Sequence, residues 1–357
     1  MAIAGNKGEW SEIYVFLRLL ADGKLFAADE GLNRIQNTYF PIIKITRKET
    51  KGAVHEYRAN PETNEVEVYL NGHMIWKAST IVFDSEARRL LEDIRSSNGR
   101  SIEFPDTEAF IAEIHVRKLK APSSNKSDIC MEVHDIQTGR ESKVGFSIKS
   151  KLGGLSTLLN ASMATNFVYQ VKGLDSSDAL KINSINTVSK YKDRIKAIVA
   201  SGGELTFDSM EDRTFEKNLM MVDGQMPRIV AEMLKGYYTG EATSCIQLLE
   251  LVSKVNPLGR ERMNYEYNVK KMLSAVALGM KPTTKWNGVE DASGGYIIVK
   301  SDGDVLAYHI HNRNEFYEYL INSTKFDTAS GTRYGHCTIY EKEGKLWVKL
   351  NLQIRFT

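Results

Sequence analysis

Asp128, Ser147 and Lys149 have the types and spacing for chemistry on a phosphate. They lie in one stretch, SDICMEVHDIQTGRESKVGFSIKSK, residues 127–151. A carboxylate can hold a hard divalent cation through oxygen, and the cation then stabilises charge on a phosphodiester. A lysine beside it can orient or help deprotonate an attacking water and offset negative charge as the transition state forms. To act together the three must meet, although Ser147 and Lys149 follow Asp128 by 19 and 21 positions. The stretch reads as a β-hairpin that makes them meet. Residues 128–135 alternate polar and apolar, Gly139 marks a turn, and residues 143–150 alternate again. Successive strand side chains point to opposite faces, so Val144, Phe146 and Ile148 share one face and Gly145, Ser147 and Lys149 the other. Paired strands lie roughly 4.8 Å apart. The bland alternative is a solvated hairpin face, because an aspartate and a lysine on neighbouring strands often occur by chance.

This spacing matches the PD-(D/E)XK nuclease pattern, with two departures. Ser127 precedes Asp128 where proline is usual, and Ser147 stands where an acid is usual. Serine is a poor metal ligand, so another carboxylate must complete the site. Cores of this kind can take a glutamate from a helix that precedes the hairpin. The first helix is expected over residues 5–22, where Trp10, Ile13, Tyr14, Leu17, Leu20 and Ala21 recur at helical spacing and Gly23 follows as a stop. It offers Glu12 and Glu9, three apart on neighbouring positions of one face. Read alone, the two would be a solvated first turn favoured by the helix dipole. The expected ligands for Mg²⁺ are Asp128 and Glu12.

Other chemistries find little support. There is no GxxxxGK[ST], GxGxxG or GxSxG motif, which argues against P-loop, Rossmann and α/β-hydrolase sites. Cys130, Cys245 and Cys337 are far apart and form no CxxC pair, so a reducing cytoplasm suits the chain. His309, His311, Asn312 and His336 are tempting as a metal site, but alternating histidines on a strand more often decorate a surface or add core polarity. Met220, Met221, Met226 and Met233 read as core filler. The 357 residues are 42% hydrophobic and 26% charged, the profile of a soluble globular protein. A net charge of +2 argues neither for nor against nucleic acid, since a DNA-cleaving enzyme needs a basic cleft and not a basic total. No leader or membrane span is expected.

The elements that must position the hairpin follow from pattern. Short β-type runs fill residues 40–83, and an amphipathic helix is expected over 84–97 with Asp84 or Ser85 as N-cap. Residues 106–118 suit a helix or a helix running into a strand. From 174 to 280 the spacing turns helical, and from 294 strands return, with Asp302-Gly303 as a hairpin turn. The expected fold is α/β, with a PD-(D/E)XK-like nuclease core of mixed sheet flanked by helices. To it are added a helical region and a C-terminal β-rich segment. The expected divisions are 1–173 for the core with inserted N-terminal strands, 174–290 for the helical region, and 291–357 for the β-rich segment with a recognition loop.

GNKGEWSEIYVFLRLLADGKL, LNRIQNTYFPIIKI, FSIKSKLGG, TLLNAS with TNFVY, and NSTKFDTASGTRYG with IYEKEGKLWVKLNLQIRF occur in order along nearly the whole chain. Together they resemble the HpaII family of type II restriction endonucleases. The resemblance implies Mg²⁺-dependent cleavage of double-stranded DNA at a short palindrome, CCGG for such enzymes, and a companion methyltransferase that protects the host. A palindrome suits a two-fold homodimer, although some enzymes with four-base sites act as monomers. Guanine offers O6 and N7 to a bidentate arginine. The loop 322–336, with Lys325 and Arg333, is the first expected DNA-facing element. Arg260 and Arg262 form a second basic cluster, and Lys151 is placed to touch a phosphate. Two rivals stand beside this reading. One is a DNA-binding protein or a nicking or repair nuclease on the same core. The other is an interaction protein with no salt-dependent DNA affinity.

Overall fold

A computed structural model describes residues 3–50, 53–119, 127–136, 139–309, 312–329 and 334–357. In chain order the elements begin with β1 (Ala4–Gly5), α1 (Lys7–Asp22), β2 (Lys24–Ala28), β3 (Arg34–Thr50), β4 (Ala53–Asn60), β5 (Glu65–Leu70) and β6 (His73–Ser79). Next come α2 (Thr80–Ser96), β7 (Ile102–Glu103), α3 (Pro105–Glu113), β8 (Ile129–Asp135), β9 (Arg140–Ser150), β10 (Thr157–Leu159) and β11 (Asn166–Lys172). A helical stretch follows, with α4 (Ser176–Asn183), α5 (Lys190–Ala200), β12 (Glu204–Met210), α6 (Arg213–Met220), α7 (Met226–Thr239), α8 (Cys245–Val255) and α9 (Arg262–Leu278). The chain closes with β13 (Gly295–Val299), β14 (Val305–His309), α10 (Arg313–Ser323), β15 (Thr324–Asp327), β16 (Tyr340–Lys342), β17 (Lys345–Asn351) and β18 (Gln353–Phe356). Two compact units result, Met1–Ser156 with Glu290–Phe316, and Thr157–Val289 with Tyr317–Thr357.

The first unit is mixed α/β. Its sheet runs β2-β14-β13-β9-β8-β3-β4-β5-β6, and β2 also pairs with β3, so six strands close into a barrel. Closure depends on the length of β3. Its first half pairs with β2, and the part from Ile42 onward pairs with β8 and β4. Two joins are parallel, β13 with β9 and β14 with β2. Parallel neighbours need a long crossover, which is why β13 and β14 arrive from far along the chain. All five residues of β13 are buried, and its continuous apolar run GYIIV is what burial on both faces demands.

Helix α1 covers one side of this sheet. Trp10, Ile13, Phe16, Leu17 and Leu20 are fully buried among Ile45, Tyr57, Met131 and Phe146 of the strands and Phe83, Leu90 and Ile94 of α2. Gly23 ends α1 at φ 63°, a left-handed conformation that returns its N–H to the Leu19 carbonyl. Helix α2 starts before the expected Asp84. Ser79 is its N-cap, and its Oγ accepts from the Ile81 N–H. The β-branched run before Phe83 suggests strand, but burying Phe83 in phase with Ala87, Leu90 and Ile94 extends the helix back over it. Asp84 instead pairs with Arg18 and Arg88. Helix α3 does not run into a strand; it stops near His115, whose φ of 65° breaks the path.

The second unit holds a four-stranded sheet, β12-β11-β17-β16, and a three-stranded one, β10-β18-β15, with α4 to α9. Hydrogen bonding therefore crosses the boundaries read from the order of elements. β11, expected with the first segment, pairs along its length with β17. β13 and β14, expected with the C-terminal strands, complete the barrel of the first unit.

Candidate active site

Asp128 stands immediately before β8, and its N–H donates to the Phe146 carbonyl at 2.8 Å. The register that follows, Ile129 with Phe146 and Cys130 with Gly145, brings Asp128 beside Ser147. The buried Ser147 hydroxyl donates to Asp128 Oδ2 at 3.0 Å, and the Ile148 N–H donates to the same oxygen at 2.7 Å. Two donors on one oxygen hold the carboxylate in one orientation. Among the described residues no protein donor reaches Oδ1. Ser147 is thus one of the two hydrogen-bond donors to Asp128 Oδ2.

Two glycines permit close packing around this strand, and the sequence pattern alone assigns them no role. A Cβ at Gly145 would lie 2.2 Å from Ser127 Oγ and 2.8 Å from Ser127 Cβ. Ser127 is buried there and donates to the Asp291 carbonyl at 2.6 Å. A Cβ at Gly294 would lie 2.7 Å from the Phe146 ring. At Gly145, a glycine inside a strand pattern is the available signal, because it marks a close approach of backbone.

Lys149 is held on the same strand, with its Nζ 5.2 Å from the centroid of the Tyr296 ring. Tyr296 lies on β13, in register with Ser147. Burial pushes the Lys149 pKa down, while the charges of Asp128 and Glu12 oppose that shift. The structure therefore gathers Asp128, Ser147, Lys149 and Glu12. Helix α1 meets the end of β9 directly, since Ser11 Oγ donates to Ser150 Oγ at 2.8 Å. Glu9 makes a local contact. Its Oε2 accepts the Asn6 N–H at 2.9 Å while Asn6 Oδ1 accepts the Glu9 N–H at 3.1 Å, a capping box that closes the first turn of α1.

Among the described residues no group of three or more His, Cys, Asp or Glu side chains forms a ready metal cage. The oxygens that are present still fit a hard cation. Mg²⁺ is commonly held by one or two carboxylates with water filling its other positions. Asp128 offers an oxygen that no donor among the described residues occupies, and Glu12 is a second half-buried carboxylate close enough to act on Lys149.

The model of the HpaII restriction endonuclease family matches residues 6–356. This chain belongs to that family. The type II restriction enzyme HpaII of Haemophilus parainfluenzae is 40% identical to it over 358 residues, covering 99% of this chain and 98% of that enzyme. The chain is accordingly a type II restriction endonuclease, a site-specific deoxyribonuclease. No solved structure matches it. Among the described residues no helix is long and apolar enough to cross a membrane.

The residues expected to face DNA are placed unevenly in this endonuclease. Lys151 is exposed just beyond β9, anchored by its N–H to the Val299 carbonyl at 2.8 Å. Lys325 is not in a loop. It lies in β15, opposite Arg355 of β18, because Thr324 and Phe326 alternate with it and are buried. Arg333 lies outside the described residues. Arg260 is bound to Asp223 at 3.0 Å, an oxygen that also accepts from Asn268, and Arg262 is bound to Glu250. Both arginines of that cluster serve ion pairs of the second unit. The backbone of His309 ends β14, while its side chain and all of His311 lie outside the described residues. His336 is buried against the Tyr191 ring, with ring centroids 4.4 Å apart.

Proposed function

We propose that this endonuclease cuts double-stranded DNA with Mg²⁺ at the palindrome CCGG, using Asp128, Lys149 and Glu12 on a PD-(D/E)XK-like core. The observation that carries the reading is the Asp128 carboxylate, fixed through one oxygen by Ser147 and Ile148 beside a lysine whose pKa is lowered by burial. Bound Mg²⁺ would supply charge stabilisation at the phosphate. Asp128 and Glu12 would hold it, and Ser147 would keep Asp128 in its orientation. Lys149 is moved towards the range in which an amine exchanges a proton readily, so it can orient a water, take its proton, or offset charge on the phosphate oxygens. Asp128 and Glu12 act against that shift and keep the ammonium form in play.

The CCGG target rests on the resemblance of the chain to HpaII enzymes and on the 40% identity. A two-fold palindrome is cut on both strands most simply by two copies with one site each. A methyltransferase of the same specificity would protect the host, and the cytoplasm is where both would meet DNA. Digestion of a defined DNA with Mg²⁺ or with EDTA, followed by mapping of the ends, tests the reading. Cuts at CCGG that EDTA abolishes are expected. Cleavage that persists in EDTA refutes the metal dependence, and cuts at another sequence refute the target.

A further inference from the structure

Helix α5 of the second unit, KYKDRIKAIVA, sets Lys192 and Lys196 one turn apart on one face. Like charges at that spacing repel. Many cations of this chain are bound to a carboxylate, but among the described residues neither of these forms an ion pair. The carboxylate that acts on Lys192 is Asp327, and its charge is already engaged. Arg355 binds one of its oxygens at 3.2 Å, and the Thr328 N–H donates to the other at 2.9 Å.

Neutral groups lie beside both ammoniums. The half-buried Lys192 places Nζ 3.8 Å from the centroid of the Tyr237 ring. A ring face attracts a cation without cancelling its charge. The Tyr237 hydroxyl in turn shares a 2.9 Å hydrogen bond with the Thr328 hydroxyl. Lys196 is exposed and lies over Gly240, where a Cβ would be 2.8 Å from its Cε and 3.1 Å from its Nζ. Gly240 closes α7, and the carbonyl end of a helix favours a cation. Burial and then Lys196 push the Lys192 pKa down. Two lysines with no ion pair among the described residues thus share this face, and Lys192 stands against the ring of a hydroxyl pair.

We propose that Lys192 and Lys196 grip phosphates of the DNA backbone, with the Tyr237 and Thr328 hydroxyl pair as a further donor. The assignment rests on the reading of double-stranded DNA as substrate. Phosphate contacts position a duplex and carry no base information. Their loss weakens cognate and unrelated duplexes alike and reduces the salt dependence of binding.

The test uses the full chain, a CCGG duplex and an unrelated duplex, with binding followed by fluorescence anisotropy in EDTA across a salt series. Each lost phosphate contact lowers the slope of log K against log salt by about 0.9. Lys192→Gln/Lys196→Gln is expected to lower it by about 1.8 for both duplexes, with binding roughly tenfold weaker or more at about 0.1 M salt. Lys192→Arg/Lys196→Arg, which keeps the charge, is expected to restore the slope. Unchanged melting of the Gln variant would tie the loss to charge. Weaker binding with an unchanged slope, or loss confined to the CCGG duplex, overturns the proposal. If the wild-type chain cuts DNA and the Gln variant keeps the slope, only this assignment falls. If the wild-type chain binds neither duplex, the functional reading falls with it.

Discussion

Ser147→Ala tests how the candidate site is built. The change removes a buried hydroxyl that donates to Asp128 Oδ2 at 3.0 Å and leaves the Ile148 N–H, at 2.7 Å, as the remaining donor to that oxygen. A hydrogen bond to a charged group contributes about 1.5–3 kcal/mol. At about 1.4 kcal/mol per decade that corresponds to roughly 10- to 150-fold. Because Ile148 still holds the carboxylate, the expected loss is near the lower end, about tenfold. Outer partners of metal ligands typically cost 10- to 100-fold when removed, which brackets the same value. Single-turnover cleavage of a CCGG duplex over a Mg²⁺ titration reads it directly. The loss should be largest at low Mg²⁺ and shrink as Mg²⁺ saturates, and Ser147→Thr, which keeps the hydroxyl, should recover most of it. Two results refute the reasoning. Loss as complete as in Asp128→Ala makes Ser147 a direct participant, and wild-type activity at all Mg²⁺ concentrations means that Asp128 does not depend on it.

Asp128→Ala and Lys149→Ala are each expected to abolish plasmid cleavage while a gel-shift assay still shows specific binding; turnover in either moves the active site elsewhere. Glu12→Gln should cut at least tenfold more slowly. Glu9→Gln should leave cleavage intact and cost about 0.5–1 kcal/mol of stability in denaturant unfolding, through the capping box it forms with Asn6. The opposite pattern would exchange their roles. His336 is buried with neither ring nitrogen hydrogen-bonded among the described residues, and burial lowers its pKa from 6.5 to about 4. Its neutral form belongs to the fold, so its contribution is fully present above pH 6.5 and is lost as pH falls towards 4. The loss is on the order of 3 kcal/mol. His336→Phe, which keeps a ring against Tyr191, should flatten that part of the pH–stability curve; an unchanged acid limb would assign the loss to other groups.

Much of the candidate site is local and can be read from the residues. Alternation over 128–135 and 143–150 makes the hairpin, and a period of two is enough to place Ser147 and Lys149 on one face. The helical recurrence of Trp10, Ile13, Leu17 and Leu20 makes α1, because burial of one stripe is what holds an amphipathic helix. The identity of the completing carboxylate is not local. Glu9 and Glu12 share a face of the same helix, and only the position of Asn6 and of β9 separates a cap from a neighbour of Lys149.

The same limit governs the rest of the fold. β13 reaches β9 in parallel across roughly 150 residues, and no nearby residue announces that partner. The division into two discontinuous units follows from such distant pairings. The role of a cation is equally a matter of neighbours. Arg260 and Arg262 look like a DNA-binding cluster in sequence, and the structure pairs them with Asp223 and Glu250. Lys192 and Lys196, unremarked in sequence, have a ring and a helix end as neighbours and form no ion pair among the described residues. Sequence by itself determined the periodicities, the hairpin and the types of its reactive residues, because these depend on the chain within a few residues. Tertiary structure decided which charges are cancelled and which remain, because an ion pair depends on what lies nearby in space.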